Sequence, residues 1–369
     1  MMTSNHAFLP EWASSPGETI TDLLAEKNLS FDDFARLTSL TPDEVRGLLE
    51  GRSTISIGLA RRLKDLLGAS VEFWMSRDYQ YREDISRLHA IEQSWLRELP
   101  IGDMIRFGWL TPTPHPSVEV AACLRFFGVS SIASWRKAYG GLQKMAAFRT
   151  SRTFDSQAAS VAVWLRRAEL EADQIETKPW DQSGFEASLS EIRALTNRHD
   201  PGHFISELQR QCAECGVAVV VVRAPTGCRA SGAVRFLTPN RALLQLSFRY
   251  LSDDQFWFTF FHEAAHLLLH RDRISFLESL RGDRCGLLEG ADPLSAVEEQ
   301  EANDFAARIL IPPEFQEEMS TLQPDWRAIV RFAVRVGVSP GIVVGQLQHL
   351  RRVEPSQLNT LKRRFRWDD

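Results

Sequence analysis

The chain has 369 residues, of which 44% are hydrophobic and 25% are charged, and its formal net charge is −5. This composition excludes an intrinsically disordered polymer, and the length exceeds that of one typical core, so we expect two or three folded domains. The modest negative charge does not favour strong nonspecific attraction to nucleic acid.

The N-terminus, the apolar runs and the cysteines bear on where the protein resides. No apolar run reaches the roughly 18 residues that span a bilayer, and the N-terminus lacks the basic start and apolar stretch of a secretory signal. The five cysteines are odd in number and scattered, which favours reduced thiols. We therefore expect a cytoplasmic protein with no membrane partner, in which Cys212 and Cys215 are core or helix-end residues.

Residues 1–88 show the pattern of several short helices. Thr41 followed by Pro42 is typical of a helix start, and this helix is expected to end at Gly51. Five compact helices of this size predict an all-α helix-turn-helix bundle as the first domain. Residues 89–200 are also mostly helical by periodicity and carry no chemical motif, so they are predicted to be a helical connecting region.

Residues 201–320 combine both kinds of secondary structure. Three β-rich runs, GVAVVVV, SGAVRFL and ALLQLSF, predict a small sheet. An apolar helix over 255–270, which Asp253 or Asp254 can cap, follows them. After a looser segment, 271–292, a second helix is predicted over 295–311, which gives an α+β fold.

Residues 321–369 are predicted to form a C-terminal helical extension. It ends in the basic sequence KRRFRW, which we interpret as a solvated face or a frayed end.

The chemistry-bearing pattern is HEAAH, residues 262–266 of the apolar helix. His262 and His266 are four residues apart, so both imidazoles project from one side of the helix and can bind one zinc ion. Glu263 follows the first histidine, where its carboxylate can take a proton from an activated water and return it to a leaving amine. The neighbouring positions are apolar nearly all round, and ionisable groups in a buried helix are costly without a charged partner such as a metal.

A third protein ligand is required, because a catalytic zinc ion keeps three protein ligands and one open position. The helix over 295–311 offers Glu298, Glu299 and Glu301 beside its apolar stripe. Glu298 lies nearest the centre of that stripe and the other two flank it, so periodicity alone does not choose among them. His270, a further turn along from His266, is expected at the helix end without a metal role.

These residues resemble the ImmA/IrrE family of metallopeptidases over roughly 148–350, through GCRASGAVRF, the HEAAH helix, EEQEANDFAARILIPP and VGVSPGIVVGQLQHL in that order. In that family and in related zincins the third ligand is a glutamate followed four residues later by Asp or Asn. The resemblance therefore implies Glu299 as the ligand and Asn303 as a hydrogen-bonding partner of a ligand histidine. It also implies a zincin-like α+β domain, gluzincin in type, that holds one zinc ion per chain and cuts one specific partner protein, commonly a repressor or antitoxin.

The N-terminal region resembles helix-turn-helix proteins of the HigA and XRE type, through residues 29–75. Residues 1–87 contain 10 Lys or Arg and 14 Asp or Glu, whereas most DNA-binding modules present a basic face. The helix expected in the major groove offers Arg46 as a base-reading candidate, with Arg52 just after it. DNA binding and a use in protein interaction or homodimer formation both stay open.

Three functions follow as alternatives. The favoured one is a zinc-dependent endopeptidase fused to a helix-turn-helix module, cleaving a partner protein to regulate transcription or a stress or defence response. The second is a DNA-binding repressor or antitoxin whose peptidase-like domain is a sensor. The third is a zinc hydrolase of small amides, against which an edge strand formed by SGAVRFL or ALLQLSF would argue, since such a strand can pair with an extended peptide.

Overall fold

A computed structural model describes residues 10–113, 115–148, 157–271 and 296–367, without the side chains of 141–148. The looser segment predicted over 271–292 lies almost entirely outside the described residues, as does Cys285. The chain divides into two compact units, Met1–Leu96 and Arg97–Asp369. This division is coarser than the four predicted segments.

The first unit is a bundle of helices whose starts are fixed by local sequence. Ser15, Ser30 and Ser56 each cap a helix through the side-chain oxygen, and Thr41 forms a reciprocal capping box with Glu44. The predicted start at Thr41-Pro42 is therefore confirmed. The helices are Pro16–Glu26 (α1), Phe31–Thr38 (α2), Pro42–Leu49 (α3), Ile57–Leu67 (α4) and Val71–Glu98 (α5). The last was expected to be short but has 28 residues.

The core of this bundle is apolar and buried. Phe34 and Trp74 have no exposed surface, and leucines from α1, α3 and α4 pack around them. The helical faces that the sequence pattern predicted therefore meet in one interior.

The second unit is α+β, as predicted. Its sheet has the order β1-β3-β2, in which β1 is parallel to β3 and β2 is antiparallel to it. Its elements are Ile101–Arg106 (α6), Pro116–Phe127 (α7), Ile132–Phe148 (α8), Ala158–Ala172 (α9), Gln182–Ala194 (α10), Pro201–Ala213 (α11), Val217–Val221 (β1), Gly232–Thr238 (β2), Arg241–Leu246 (β3), Asp253–Leu269 (α12), Ala296–Leu310 (α13), Pro313–Thr321 (α14), Trp326–Val336 (α15) and Pro340–His349 (α16).

The two faces of the sheet pack against different helical layers. Alternate residues point to opposite faces of a strand, and in β1 Val217 and Val219 join the core that contains α12, while Ala218 and Val220 join a second core with Trp164 of α9. Both faces are thus covered, which explains the continuous apolar runs in β1 and β3. α9 lies in the stretch that was predicted to be a connecting region.

The C-terminal basic sequence is not solvated or frayed, and that prediction was wrong. We call residues 359–367 the C-terminal strap. The Phe365 amide donates to the Leu251 carbonyl at 2.9 Å, and Lys362 Nζ lies 2.6 Å from Asp254 Oδ2. Phe365 is buried and its ring contacts Phe204 and Phe248. Phe365 and Trp367, on either side of Arg366, supply the apolar surface that docks the strap.

Within the described part of the chain, no single helix is both long and apolar enough to cross a membrane. Two bent helix pairs, Pro116–Phe127 with Ile132–Gly140 and Trp326–Val336 with Pro340–His349, meet the test by length and composition only.

Candidate metal centre

α12 is a buried helix whose N-terminus carries two carboxylates. Ser252 is the N-cap residue, so the prediction that Asp253 or Asp254 occupies the cap was wrong; both lie in the first turn. Acidic groups at that end interact favourably with the helix dipole. The apolar residues Phe256, Trp257, Phe260, Phe261, Ala264 and Leu267 are all buried, which holds the helix in the core.

His262 and His266 lie one turn apart on α12, with their ring centroids 4.7 Å apart. Their Nε2 atoms are separated by 3.1 Å. The His266 side chain is 3% exposed and that of His262 is 16% exposed. The pair is therefore partly open to solvent on the His262 side alone.

Glu299, from α13, is the carboxylate that lies with the two histidines. Its oxygens are 3.4 Å from His262 Nε2 and 4.0 Å from His266 Nε2. Glu301, which periodicity left equally open, instead contacts His270 at 2.9 Å. Across residues 10–271 and 296–367, apart from the undescribed positions between them, His262, His266 and Glu299 form the one group of three His, Cys, Asp or Glu side chains whose ligand atoms converge.

The separations among these three side chains fit a tetrahedral metal ion. Zinc holds nitrogen and oxygen ligands at about 2.0–2.2 Å, which places pairs of ligand atoms about 3.3–3.6 Å apart. The separations of 3.1, 3.4 and 4.0 Å bracket that range, and the ligand atoms all lie within 4.8 Å of one another. Two imidazoles and one carboxylate are also the donor types that zinc accepts.

The pKa values of His262 and His266 are shifted in opposite directions. Burial by itself lowers the pKa of His262, but the hydrogen bond to Glu299 and the nearby carboxylates of Glu263 and Glu299 outweigh it, so that the pKa of His262 is raised. Burial, followed by the charge of His262, lowers the pKa of His266 to about 4. His266 is therefore neutral at pH 7, with a nitrogen lone pair available to a cation.

Asn303 lies where the resemblance placed it. Its Oδ1 is 3.1 Å from His262 Nδ1, on the far side of the ring from the His266 contact. An amide oxygen at this position accepts a hydrogen bond from Nδ1, so that the ring directs its Nε2 at the cluster.

His270 has contacts that the sequence argument missed. It is 6% exposed, and its Nδ1 lies 3.0 Å from His266 Nδ1. Its Nε2 lies 2.9 Å from Glu301 Oε2. The four-residue spacing from His266 to His270 repeats that of the first pair and was the available signal; Glu301 comes from another helix and could not be paired with it by spacing.

Glu263 lies against the first residue of β2. It is 9% exposed, and a Cβ atom on Gly232 would come within 2.5 Å of its Oε1 and 2.6 Å of its Cγ. The glycine therefore makes room for the carboxylate. Gly232 was not among the predicted site residues, although a glycine inside a strand pattern signals such a close approach.

The two predicted DNA contacts, Arg46 and Arg52, are exposed and ion-paired. Arg46 is 3.2 Å from Asp43, and Arg52 Nε donates to Glu50 at 2.6 Å. The positive charge available to a phosphate on this surface is thereby reduced.

The CxxC pair contributes to packing. Cys212 is fully buried in the main core, and burial raises its pKa well above the usual range. Cys215 is partly exposed, and burial also raises its pKa. Thiolate chemistry at neutral pH is therefore disfavoured at both positions.

Comparison with known proteins gives matches for the N-terminal region and for the region that contains the candidate metal centre. The N-terminal region is similar to an uncharacterized HTH-type transcriptional regulator, YddM, of Escherichia coli (strain K12), at 28% identity over 83 residues that cover 21% of this chain and 88% of that protein. Residues 216–347 match the Peptidase_M78 model, described as the IrrE N-terminal-like domain, and this stretch contains β1–β3, α12 and α13. The chain thus contains a stretch that matches the IrrE N-terminal-like domain of Peptidase_M78, preceded by an N-terminal region that is similar to an HTH-type transcriptional regulator.

Proposed function

We propose that this protein is a zinc-dependent endopeptidase that cleaves one specific partner protein. His262, His266 and Glu299 hold the ion, and Glu263 carries the proton. The observation that supports this most is the convergence of three ligand atoms within 4.8 Å, contributed by two separate helices. The Peptidase_M78 match over the same helices supports the peptidase class.

Glu263 is proposed to transfer the proton because it directly follows His262 on α12. It lies on the same turn of α12 as His262, and its carboxylate lies beside Gly232 of β2. A zinc ion bound by the three ligands would supply Lewis-acid activation of a water molecule and of the substrate carbonyl. Glu263 would then accept a proton during attack on the carbonyl and deliver it to the departing amine.

The sheet topology favours a peptide over a small amide as the substrate. Among the described residues β2 pairs only with β3, so SGAVRFL contains the edge strand beside Glu263, whereas ALLQLSF forms the central strand. An extended peptide can add to such an edge through its backbone hydrogen bonds. Gly232, at the start of β2, would bring that peptide next to the Glu263 carboxylate.

The partner is proposed to be a repressor or antitoxin-like protein, because the resemblance to ImmA/IrrE peptidases implies such substrates. Cleavage would then change transcription or a stress or defence response in the cytoplasm. The N-terminal unit would control location or assembly, either as a homodimer or through DNA.

A second candidate is a DNA-binding repressor or antitoxin whose peptidase-like domain is a sensor. The similarity to the HTH-type regulator favours it. The ion pairs of Arg46 and Arg52 oppose it. A mobility-shift assay on the chain's own promoter separates the two: tight, salt-sensitive binding that survives Glu263→Gln would favour the sensor.

The decisive experiment compares the full chain with its Glu263→Gln variant. Gln keeps the shape but cannot accept the proton, so we expect the variant to bind one zinc ion and to cut its partner at least about 10²-fold more slowly. Protein termini generated in cells by each form, measured by mass spectrometry, identify the partner.

Glu191→Gln is the matched control, since Glu191 is exposed on α10 and is not one of the three converging residues. It should cut as the wild type does. Undiminished cleavage by Glu263→Gln would eliminate the proposed mechanism.

A further inference from the structure

We propose that His270 and Glu301 are positioning residues that fix the tautomer of His266 and thereby present its Nε2 to the ion. This inference rests on the proposed function for its purpose, but the arrangement itself can be tested in metal-free protein. Neither residue lies within the three-ligand cluster.

The contacts form a continuous chain from the surface to the cluster. Glu301 Oε2 lies 2.9 Å from His270 Nε2, and His270 Nδ1 lies 3.0 Å from His266 Nδ1. Glu301 belongs to α13, as does Glu299, so the same helix supplies both the cluster's carboxylate and the far end of this chain.

The proton positions follow from the chemistry of the end group. An ionised carboxylate only accepts hydrogen bonds, so His270 Nε2 must carry a proton and donate it to Glu301. A neutral imidazole has one donor and one acceptor, so His270 Nδ1 is then an acceptor. His266 Nδ1 must therefore donate to it, which leaves His266 Nε2 unprotonated and directed at the cluster.

His262 is oriented through a shorter contact. Asn303 Oδ1 accepts from its Nδ1 at 3.1 Å, and no second imidazole intervenes. The two Nε2 atoms consequently face each other at 3.1 Å. His262 is oriented by the amide of Asn303. His266 is oriented by the imidazole of His270, which the Glu301 carboxylate polarises.

Burial explains why His266 uses the longer route. The His266 side chain is 3% exposed and that of His270 is 5% exposed, whereas the Glu301 side chain is 55% exposed. The carboxylate stays in water, where its desolvation cost is small, and only imidazole rings extend inward. A carboxylate placed directly at His266 Nδ1 would have to be buried there.

The first test measures the tautomer directly in metal-free full chain labelled with ¹⁵N-histidine. Long-range ¹H–¹⁵N spectra distinguish a protonated Nδ1 from a protonated Nε2. We expect His266 to carry its proton on Nδ1 in the wild type and to become a mixture of tautomers in Glu301→Leu. Glu301→Gln, whose amide oxygen can still accept, should restore most of the wild-type signal.

Asp304→Asn is the control, because Asp304 is an exposed carboxylate on the same helix whose oxygen accepts from Gln300. It should leave the His266 signal unchanged. Glu301 is itself exposed, so loss of fold is not expected to obscure its variants. A proton on His266 Nε2 in the wild type, or no change in Glu301→Leu, would overturn the proposal.

The second test measures zinc affinity by chelator competition. Removing such an outer hydrogen bond typically weakens binding by about 10- to 100-fold, so His270→Leu and Glu301→Leu should each lose affinity in this range. Since Glu301 acts through His270, the double variant should lose no more than His270→Leu alone.

Losses that multiply in the double variant would show that the two residues act independently and would overturn the relay. The tautomer measurement does not depend on cleavage. If Glu263→Gln still cuts while the tautomer result holds, the proposed function fails and the positioning role stands.

Discussion

The position of the Glu263 carboxylate depends on the absence of a side chain at Gly232 in β2. Because a Cβ atom at Gly232 would lie 2.5 Å from Glu263 Oε1, Gly232→Ala must displace the carboxylate. A misplacement of about 1 Å can cost on the order of 10²-fold in rate, and we expect that loss in the cleavage of the partner protein. Zinc affinity should stay at the wild-type value, since none of the three ligands is touched. Rates and chelator competition measure the two effects separately.

Gly102→Ala is the matched control for this prediction. Gly102 lies in α6, and a Cβ atom there would meet nothing within 4 Å. It should change neither rate nor affinity. If Gly232→Ala cleaved at the wild-type rate, the close packing of Glu263 against β2 would have no catalytic importance.

At this scale the sequence predicted the residues that share one helix. The spacing of His262 and His266 is a property of α12 alone, so periodicity was sufficient to pair them. Glu299 required the family resemblance, because the choice among three glutamates depends on how α13 is rotated against α12. His270 with Glu301, and Glu263 with Gly232, were missed for the same reason: each pair joins different elements.

The C-terminal strap and the N-terminus of α12 are joined by a buried ion pair. The side chains of Lys362 and Asp254 are 9% and 3% exposed. Lys362→Met would leave the Asp254 carboxylate buried without its counter-charge, which typically costs about 3–5 kcal/mol. We expect a loss of unfolding free energy near the lower end of that range, because the dipole of α12 also favours the carboxylate. Urea denaturation measures it.

Two further variants make that prediction specific. Adding Asp254→Asn to Lys362→Met removes the unpaired charge and should recover part of the lost stability. Lys178→Met breaks the ion pair between Lys178 and Glu214, whose side chains are 65% and 53% exposed, and should cost much less stability than Lys362→Met because solvent screens the exposed pair. Equal losses for the buried and exposed lysines would contradict the assigned importance of the strap.

Helices whose ends are set by neighbouring residues were predicted from the sequence, whereas the packing of the C-terminal strap was not. Thr41 and Pro42 fix the start of α3 through a capping box that requires only neighbouring residues. The charges of KRRFRW dominate its composition, so it was interpreted as solvated. Its true environment is set by Phe204 and Phe248, far away in the chain, and only the alternation of Arg with Phe and Trp indicated a face that could be buried.

For the whole molecule, the α+β class followed from the order of helical and β-rich segments, because that order is visible without tertiary contacts. The sheet order was not predictable in the same way. It places SGAVRFL at an edge and ALLQLSF in the centre, and both runs have similar β-propensity. The strand order therefore supports our proposal of a peptide substrate, a choice that the sequence left open against a small amide.

From the excess of acidic residues in the N-terminal unit, we predict weak DNA binding by the full chain. Arg46 and Arg52 are each paired with a carboxylate, Asp43 and Glu50, on the surface expected to face the major groove. We expect binding to a duplex in the nonspecific range, a Kd on the order of micromolar or weaker at physiological salt. Fluorescence anisotropy on the full chain with its own promoter sequence measures this value.

Neutralising those carboxylates should reverse the effect. Asp43→Asn together with Glu50→Gln releases both arginines and removes two negative charges from the surface expected to meet phosphate, so affinity should rise on the order of tenfold with a steeper salt dependence. Asp22→Asn with Glu26→Gln, an exposed pair on α1, makes the same change in net charge and separates a local effect from a general one. Nanomolar, sequence-specific binding by the unaltered chain that Arg46→Ala abolishes would contradict this expectation, because it would require Arg46 to exchange Asp43 for a base at no net cost.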